Sequence, residues 1–301
     1  MKPAPFDYFA PDSLEAALSI KTEHGEEAKP LAGGQSLIPS MNFRVLQPSM
    51  LIDLNNLDEL RYIKKENGEL HIGAMTTQAE VEHSQVVSKS HPLIHETMPY
   101  IAHHQIRNRG TFGGSLVHAD PASELPVIAT ALNARFHAQS VSGKRWISVD
   151  DFFVTMFTVS LNPDEILMEI SFPELPQDTG WSFMEVSRRR GDYAMAGVAA
   201  LVTIDKKGIC KDARLVYLNV GDKAIDAKEA ANLLKGEKIT AKSIEAAANI
   251  ASNKEIMPFG SVHATPEYQR HLSRVLTKRA VEQAHHRAKS LITGSKKKVA
   301  K

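Results

Sequence analysis

The spacing of apolar and polar residues alternates between two periods, which predicts a mixed fold of short strands and helices. Residues 13–23 carry Leu14, Ala17 and Leu18 on one helical face, behind Ser13 as a capping residue and before Gly25. Residues 62–73 instead alternate with a period of two on both sides of an Asn-Gly turn. The first stretch therefore predicts an amphipathic helix, and the second predicts a β-hairpin.

The same two periods recur to the end of the chain. Apolar runs in KPLAGG, SMLIDL and DEILMEISF predict strands, a second hairpin is predicted across Ser142-Gly143, and two long strands are predicted to meet at Lys207-Gly208. Further helices are predicted over residues 77–100, 124–132, 227–234, 243–251 and 266–289.

The length of the chain and a shift in its composition indicate two domains. At 301 residues the chain is too long for one small core. Pro173, Pro176 and Gly180 cluster where the composition changes. The sequence therefore predicts a first domain over residues 1–176, split into two lobes near 56–60, and a second domain over 177–288. The remaining residues, 289–301, are basic and are predicted to be disordered.

Charge and cysteine content exclude several classes of function. A net charge of +1 gives no support for a general nucleic-acid surface. The single cysteine, Cys210, excludes a disulfide framework and any iron–sulfur or zinc site built on several cysteines of this chain. The sequence shows neither a secretory signal nor a run of about 20 apolar residues. We therefore expect a cytoplasmic protein without a transmembrane segment.

Two glycine-rich stretches carry the most specific chemistry. Residues 32–36 read AGGQS, and residues 111–115 read TFGGS. Adjacent glycines allow positive φ angles and remove the Cβ atom, so backbone N–H groups can converge on a phosphate. A neighbouring hydroxyl adds a donor. Each stretch is expected to follow an extended segment, and together they suggest a pyrophosphate held from two sides.

The residues alone leave ordinary turns open as an alternative for both stretches, because glycine is common in turns. Neither G-x-G-x-x-G nor G-x-x-x-x-G-K-[ST] occurs. A Rossmann domain and a P-loop ATPase therefore lose their main support.

Three segments together resemble a known family. They are LAGGQSLIPSMNFRVLQPSMLIDLNNL, IRNRGTFGGSLVHADPASELP and FMEVSRRRGDYAMAGVAA. In this order they resemble the FAD-binding medium subunit of molybdenum hydroxylases, of the carbon monoxide dehydrogenase and xanthine dehydrogenase type. The resemblance extends over residues 1 to about 285. It implies an α+β protein: a two-lobed FAD-binding fold of the vanillyl-alcohol-oxidase/p-cresol-methylhydroxylase type, followed by a smaller α+β domain.

The resemblance also implies which residues bind noncovalent FAD. The FAD pyrophosphate would be bound by the two glycine stretches, which comprise Ala32, Gly33, Gly34, Gln35 and Ser36 and then Thr111, Phe112, Gly113, Gly114 and Ser115. Leu37 would also belong to the cofactor site. Glu124 would bond FAD hydroxyl groups or the ribose, with Asp120 nearby in the site. Leu167 would lie along the adenine or flavin, and Asp192 and Tyr193 would lie near the isoalloxazine ring.

As a member of that family, the chain would transfer electrons within a larger assembly. A small subunit would carry two 2Fe–2S clusters, a large subunit would carry the molybdenum cofactor, and the whole would be a dimer of heterotrimers. The flavin would receive electrons from the iron–sulfur subunit and pass them to an external acceptor. The assembly would be cytoplasmic, with the inner face of the membrane as an alternative location.

Two other functions stay open at this point. One is a stand-alone FAD-dependent reductase of the UDP-N-acetylenolpyruvoylglucosamine reductase type, which also has an N-terminal G-G-x-S stretch. The other is an assembly module that has lost the flavin. The ADPASELP continuation does not resemble the reductase, and the intact glycine stretches argue against loss of the flavin.

Overall fold

The chain folds into two compact units that interleave along the sequence. A computed structural model describes residues 1–299, with side chains described through residue 293. Unit 1 comprises Met1–Ser90, Ala102–Ala119 and Asn133–Pro173, and unit 2 comprises His91–Ile101, Asp120–Leu132 and the chain from Glu174 onward. Two segments upstream of the predicted boundary at residue 176 thus belong to unit 2. The lobe split near residues 56–60 stays a prediction.

Helices and strands alternate through both units, as the two periods in the sequence predict. Up to residue 131 they are β1 (Asp7–Phe9), α1 (Leu14–His24), β2 (Ala28–Leu31), α2 (Leu37–Asn42), β3 (Met50–Asp53), β4 (Ile63–Glu66), β5 (Glu69–Gly73), α3 (Gln78–His83), α4 (Gln85–Ser90), α5 (Pro92–Thr97), α6 (His104–Arg107), α7 (Phe112–His118) and α8 (Glu124–Ala131). Beyond it they are β6 (Arg135–Ser140), β7 (Gly143–Ser148), α9 (Val149–Phe152), β8 (Phe153–Thr155), β9 (Thr158–Val159), β10 (Ile166–Phe172), β11 (Thr179–Val186), β12 (Ala196–Ile204), β13 (Cys210–Leu218), β14 (Ile225–Asp226), α10 (Lys228–Asn232), α11 (Ala241–Ile250) and α12 (Pro266–Val299).

Unit 1 contains two main sheets. The first is parallel, in the order β1-β3-β2, so β3 lies in its centre. The second is antiparallel, in the order β4-β5-β10-β6-β7. All seven residues of β10 are buried, including Glu169 and Ser171, which agrees with the high apolar density of this segment. The parallel sheet carries the first glycine stretch, because that stretch begins directly after β2.

Unit 2 is built on an antiparallel sheet in the order β11-β12-β13-β14. The long helix α12 packs on β11 and β12, and α8 packs on β12 and β13. Gly180 allows the closest approach, since a Cβ atom there would lie 1.9 Å from the carbonyl oxygen of Ala284 in α12. All nine residues of β12 are buried. The core of this unit therefore lies between the sheet and its helices.

The elements with strong local signals are confirmed. Helix α1 begins after Ser13, whose hydroxyl accepts a hydrogen bond from the N–H of Ala16, and it ends before Gly25. The hairpin of β4 and β5 turns at Asn67 and Gly68, with φ angles of 51° and 84°. The hairpin of β6 and β7 and the pair of β12 and β13 also form as predicted.

One expectation about local structure is wrong. The second glycine stretch follows helix α6 and not an extended segment, and it forms the first turn of α7. The tail expected to be disordered begins within helix α12, which is described to Val299, and Ile292 is half-buried and packs against the core of unit 2. Disorder of residues 289–301 stays a prediction, and Ala300 and Lys301 lie outside the described residues. In the described part of the chain, no helix is long and apolar enough to cross a membrane.

Candidate functional site

The first glycine stretch is the connection between β2 and α2 in unit 1. Gly34 has a φ of 71°, in the left-handed region that favours glycine. The carbonyl of Gly34 accepts from the N–H of Ile38 at 3.1 Å, and the side-chain amide of Gln35 donates to the carbonyl of Gly33 at 2.9 Å. These bonds fix the loop through its carbonyl groups.

The N–H groups of this stretch are the available donors. Within residues 1–299, the backbone N–H groups of Gly33, Gly34, Gln35 and Ser36 have no protein acceptor. The four residues are partly exposed. Successive free N–H groups in a glycine turn make a concave site that suits an anion. The first stretch therefore has the donors that a phosphate group requires.

The second glycine stretch has its N–H groups already engaged. Thr111 caps helix α7, and residues 112 and 113 donate to the segment just after β5. This differs from the expectation of free donors in both stretches, because the cap and the pairing with residues 74–76 use them. The four bonds run from Phe112 N to Thr76 O (2.8 Å), Gly113 N to Ala74 O (3.0 Å), Gly114 N to Thr111 Oγ1 (3.1 Å) and Ser115 N to Thr111 O (3.2 Å).

The two stretches meet in space. A Cβ atom on Gly33 would lie 2.1 Å from the carbonyl oxygen of Arg109 and 2.7 Å from the Cα atom of Gly110. A Cβ atom on Gly114 would lie 3.6 Å from that of Ala32. The backbone before the second stretch is thus in direct contact with the first stretch. Only glycine at position 33 permits this approach, because any side chain would collide with backbone atoms.

Three residues that the sequence did not indicate brace the first stretch. Asn55 donates from its side-chain amide to the carbonyl of Ala32 at 3.0 Å. Asp53, at the end of β3, accepts from the N–H and the amide of Asn55 at 2.9 and 2.6 Å, and from the hydroxyl of Tyr8 at 2.5 Å. The Asp-x-Asn spacing at the end of a strand was the one signal available, since such residues commonly bond neighbouring backbone.

The ionised form of the Asp53 carboxyl group is stabilised by its neighbours. Burial alone would raise the pKa of its carboxyl group, but the hydrogen bonds from Tyr8 and Asn55 and the nearby charge of Arg109 hold that pKa below its ordinary value. An ionised Asp53 keeps Asn55 oriented toward the loop.

Leu167 occupies a different part of unit 1. It lies in β10, is buried and pairs with Ala138 of β6. Its neighbours Ile166 and Met168 belong to the apolar cluster against which Ala32 packs. The role of Leu167 toward FAD stays a prediction from the resemblance.

Asp120 and Glu124 lie in unit 2, where Glu124 is the first residue of α8 and Asp120 lies in the turn before it. The carboxylate of Asp120 accepts from the N–H of Ala122 at 2.9 Å. Glu124 is only 6% exposed, and burial, with the charge of Asp120 adding to it, raises its pKa to about 7. Burial and the charge of Glu124 in turn raise the pKa of Glu185, in β11, to about 8. Unit 2 thus contains a buried carboxyl group, Glu124, and a half-buried one, Glu185, whose environments favour the neutral form more than water does.

Asp192 and Tyr193 follow β11 in the turn that leads to β12. Asp192 pairs with Arg189 at 3.0 Å and with Arg188 at 3.6 Å, and these charges lower its pKa. The ring of Tyr193 is 71% exposed. Partial desolvation and the nearby charges of Asp120 and Glu124 raise the pKa of its phenol. The tyrosine therefore offers an aromatic face that the protein itself does not cover.

The residues of unit 1 fit the phosphate part of a nucleotide cofactor. In this cradle, formed by residues 32–36 and 109–114, the N–H groups of residues 33–36 have no acceptor within the described chain, and the carbonyl of Ala32 accepts from Asn55. An added Cβ atom on Gly33 would collide with the backbone of Arg109, and one on Gly114 would lie 2.6 Å from Oγ1 of Thr111. Comparisons with known proteins agree. Residues 4–175 match the model of the FAD binding domain in molybdopterin dehydrogenase, and residues 181–284 match that of the CO dehydrogenase flavoprotein C-terminal domain.

The chain belongs to the FAD-binding medium-subunit family of molybdenum hydroxylases. It is 43% identical over 289 residues to the 6-hydroxypseudooxynicotine dehydrogenase complex subunit alpha of Paenarthrobacter nicotinovorans, covering 96% of this chain and 97% of that protein. It is 34% identical over 285 residues to the carbon monoxide dehydrogenase medium chain of Hydrogenophaga pseudoflava, with 94% and 98% covered.

Solved structures of this family have the same fold. Carbon monoxide dehydrogenase from Hydrogenophaga pseudoflava superposes with a TM-score of 0.92 at 34% identity, covering 95% of this chain and 99% of that one. Quinoline 2-oxidoreductase from Pseudomonas putida 86 superposes with a TM-score of 0.91 at 33% identity, covering 96% of this chain and 99% of that one. The predicted family, the two-domain FAD-binding fold and the character of an oxidoreductase flavoprotein are confirmed.

Proposed function

We propose that this chain transfers electrons from an iron–sulfur subunit to an external acceptor, as the FAD-binding subunit of a multi-subunit molybdenum hydroxylase. The observation that carries the proposal is the cradle of unit 1, where four successive N–H groups have no acceptor within the described chain and Gly33 lies against the backbone that precedes the second glycine stretch. FAD, when bound, supplies a group that accepts electrons singly and releases them singly or in pairs.

The two glycine stretches have different tasks in this proposal. Residues 33–36 donate N–H groups to the FAD pyrophosphate, and Leu37, which begins α2, continues this turn. The second stretch lies beside the first: Gly113 packs on Ala74, and Gly114 packs against the capping hydroxyl of Thr111 and lies near Ala32. Asn55 maintains the direction of the first loop.

The residues of unit 2 have roles that rest on the resemblance. Asp120 and Glu124 are proposed to accept hydrogen bonds from FAD hydroxyl groups, which a carboxylate does better than a carboxylic acid. Because the pKa of Glu124 is about 7, this acceptor is fully formed only above neutral pH. Tyr193 is proposed to pack its exposed ring near the isoalloxazine, with Asp192 beside it.

The partners are proposed from the names of the relatives, which are called subunits or medium chains of dehydrogenases. An iron–sulfur small subunit and a molybdenum large subunit would complete a heterotrimer, which would then dimerise. A 2Fe–2S cluster needs four ligands, usually thiolates, and this chain has one cysteine, Cys210, which is buried. The proposed clusters would therefore belong to another chain.

Purification from the native source tests this function directly. We expect released flavin to be identified as FAD, and two further chains to co-purify, one with iron and labile sulfide and one with molybdenum. The isolated chain should not oxidise NADPH at a significant rate. Turnover of NADPH by the chain alone would instead support a stand-alone reductase, and a colourless protein would support an assembly module.

A further inference from the structure

The residue after β13 connects two turns of unit 2 that the proposed function assigns to FAD. This residue is Asn219, which is half-buried. Its backbone N–H donates to the carbonyl of Pro121 at 2.8 Å, and its side-chain amide donates to the carbonyl of Ala194. Pro121 follows Asp120 in the chain, and Ala194 follows Tyr193. One residue is therefore bonded to the backbone of both turns.

Gln269, in helix α12, bonds the same group of segments. The residue is buried, with only 1% of its surface exposed. Its amide nitrogen donates to the carbonyl of Met195 at 2.9 Å and to the carbonyl of Asn219 at 2.8 Å, and its amide oxygen accepts from the N–H of Gly260 at 3.0 Å. Both donors and the acceptor of this side chain are thus in use. Three bonds fix the amide, and they also fix the two carbonyls that it contacts.

The backbone of Asn219 has a conformation that few residues adopt. Its φ is 56°, in the left-handed region, which asparagine tolerates better than most residues other than glycine. Such a conformation costs free energy and persists where surrounding contacts enforce it, which is frequent at ligand sites. Here the N–H, the carbonyl and the side chain of Asn219 each have a partner in a different segment of unit 2.

The two turns depend on these bonds because neither turn is part of a helix or a strand. Asp120 lies in the turn before α8, and Tyr193 lies in the turn before β12. The side chains of a turn are positioned by the partners of its backbone groups. Electrostatics show that the two turns are neighbours. Desolvation, followed by the charges of Asp120 and Glu124, raises the pKa of the Tyr193 phenol, so both carboxyl groups lie near this ring.

We infer that Asn219 and Gln269 are positioning residues for FAD, an inference that rests on the proposed function. They fix the turn that contains Tyr193 relative to the turn before α8, so that an aromatic ring and two carboxyl groups meet one cofactor in a fixed arrangement. The ring of Tyr193 is largely exposed, so packing against the protein does not position it. The bonds to the next two carbonyls of the chain restrict its backbone instead. Neither positioning residue has to contact FAD for this role.

The test replaces Asn219 by glycine in the full-length flavinated chain. Glycine adopts a φ of 56° without strain and keeps both backbone bonds of this position. Asn219→Gly therefore removes the side chain with its bond to the carbonyl of Ala194 and nothing else. Gln269→Leu is less suitable, because it leaves three backbone groups without their partner and is expected to unfold the protein. Asn67→Gly is the matched control, at an exposed asparagine with a φ of 51° in the turn between β4 and β5.

Four quantities are measured on each variant: the affinity for FAD, the flavin absorption spectrum, the rate at which oxygen reoxidises the reduced cofactor, and the urea midpoint of unfolding. Asn219→Gly is expected to weaken FAD binding about fivefold, because the cofactor then has to order a turn that a hydrogen bond had fixed. It should also change the spectrum and the reoxidation rate in the direction that Tyr193→Ala does. The urea midpoint should stay close to that of wild type, since glycine relieves the left-handed strain. Asn67→Gly should match wild type in the affinity, the spectrum and the rate.

The same substitution in the Tyr193→Ala background shows whether Asn219 acts through that ring. Asn219→Gly is expected to cause no further change in the spectrum or the reoxidation rate there, because the residue that it positions is gone. Changes that add in full overturn the inference. A lower urea midpoint with wild-type affinity, spectrum and rate also overturns it, shows a purely structural role and leaves the proposed function standing. If the wild-type chain binds no FAD, the proposed function fails and the inference fails with it.

Discussion

Replacing Gly33 by alanine should separate the two glycine stretches and release FAD. The added Cβ atom would lie 2.1 Å from the carbonyl oxygen of Arg109, which is more than 1 Å short of a normal contact. Both colliding groups are backbone, so neither can rotate away. The loops must therefore move apart by about 1 Å, and the free N–H groups of residues 33–36 move with them.

Overpacking of this size lowers the free energy of unfolding by about 1–3 kcal/mol. The effect on the cofactor follows from the displaced donors. Loss of about 1.4 kcal/mol of binding free energy is a tenfold change in affinity, and misplacing more than one N–H group costs at least that much. We expect the Gly33→Ala protein to fold, to be less stable, and to bind FAD at least about tenfold more weakly.

FAD titration of the deflavinated protein, followed by flavin fluorescence, measures the affinity, and urea denaturation measures stability. Gly143→Ala is the matched control, because a Cβ atom at Gly143 meets nothing within 4 Å. The control should match wild type in both assays. If Gly33→Ala retains wild-type affinity for FAD, the contact between the two stretches does not shape the cofactor site, and the proposed cradle is wrong.

Three further substitutions test other parts of the proposal. Asn55→Leu removes the hydrogen bond to the carbonyl of Ala32 and should lower the free energy of unfolding by about 1–3 kcal/mol and weaken FAD binding, measured by urea denaturation and FAD titration. Glu124→Gln should make the free energy of unfolding less dependent on pH. The pKa of the Glu124 carboxyl group rises from 4.5 to about 7 on folding, so its contribution to stability is complete below pH 4.5 and is lost as the pH rises through 7. The loss amounts to roughly 3 kcal/mol in all. Urea denaturation should show that the free energy of unfolding of the variant, relative to that of wild type, is higher at pH 8 than at pH 5. The same difference between variant and wild type at both pH values would contradict this. Tyr193→Ala should leave unfolding within about 0.5 kcal/mol of wild type, because the ring is exposed, yet alter the flavin spectrum and reoxidation rate. An unchanged spectrum and rate would remove Tyr193 from the site.

Local signals in the sequence predicted most of the regular elements. Ser13 and Gly25 mark the ends of α1 because capping chemistry depends on single residues, and Asn67-Gly68 marks a hairpin because both residues adopt positive φ angles. Strand β10 was predicted because every residue in it is buried and apolar density shows this directly. Such features need no knowledge of distant contacts.

Features that depend on tertiary contacts could not be predicted from local signals in the sequence. The second glycine stretch looks like a loop, yet Thr111 caps a helix there, and its N–H groups are used by residues far away in sequence. Strand β11 was missed because Pro173, Pro176 and Gly180 suggest a linker. Gly180 is instead needed for the close approach of α12. The bracing role of Asn55 depends on the pairing of β2 with β3, which brings it beside Ala32.

Because the two units interleave along the sequence, the chain cannot be divided into two stable fragments at a single position. Helix α8 is encoded before residue 132, yet all of its residues are buried and it packs on strands of the C-terminal unit. A fragment that starts at residue 177 would lack this helix and would expose the apolar face of β12 and β13 to water. During synthesis, α8 likewise cannot pack on β12 and β13 until more than 60 further residues have been synthesised. Dissection at the apparent sequence boundary would therefore yield an aggregating product, and expression studies need the intact chain.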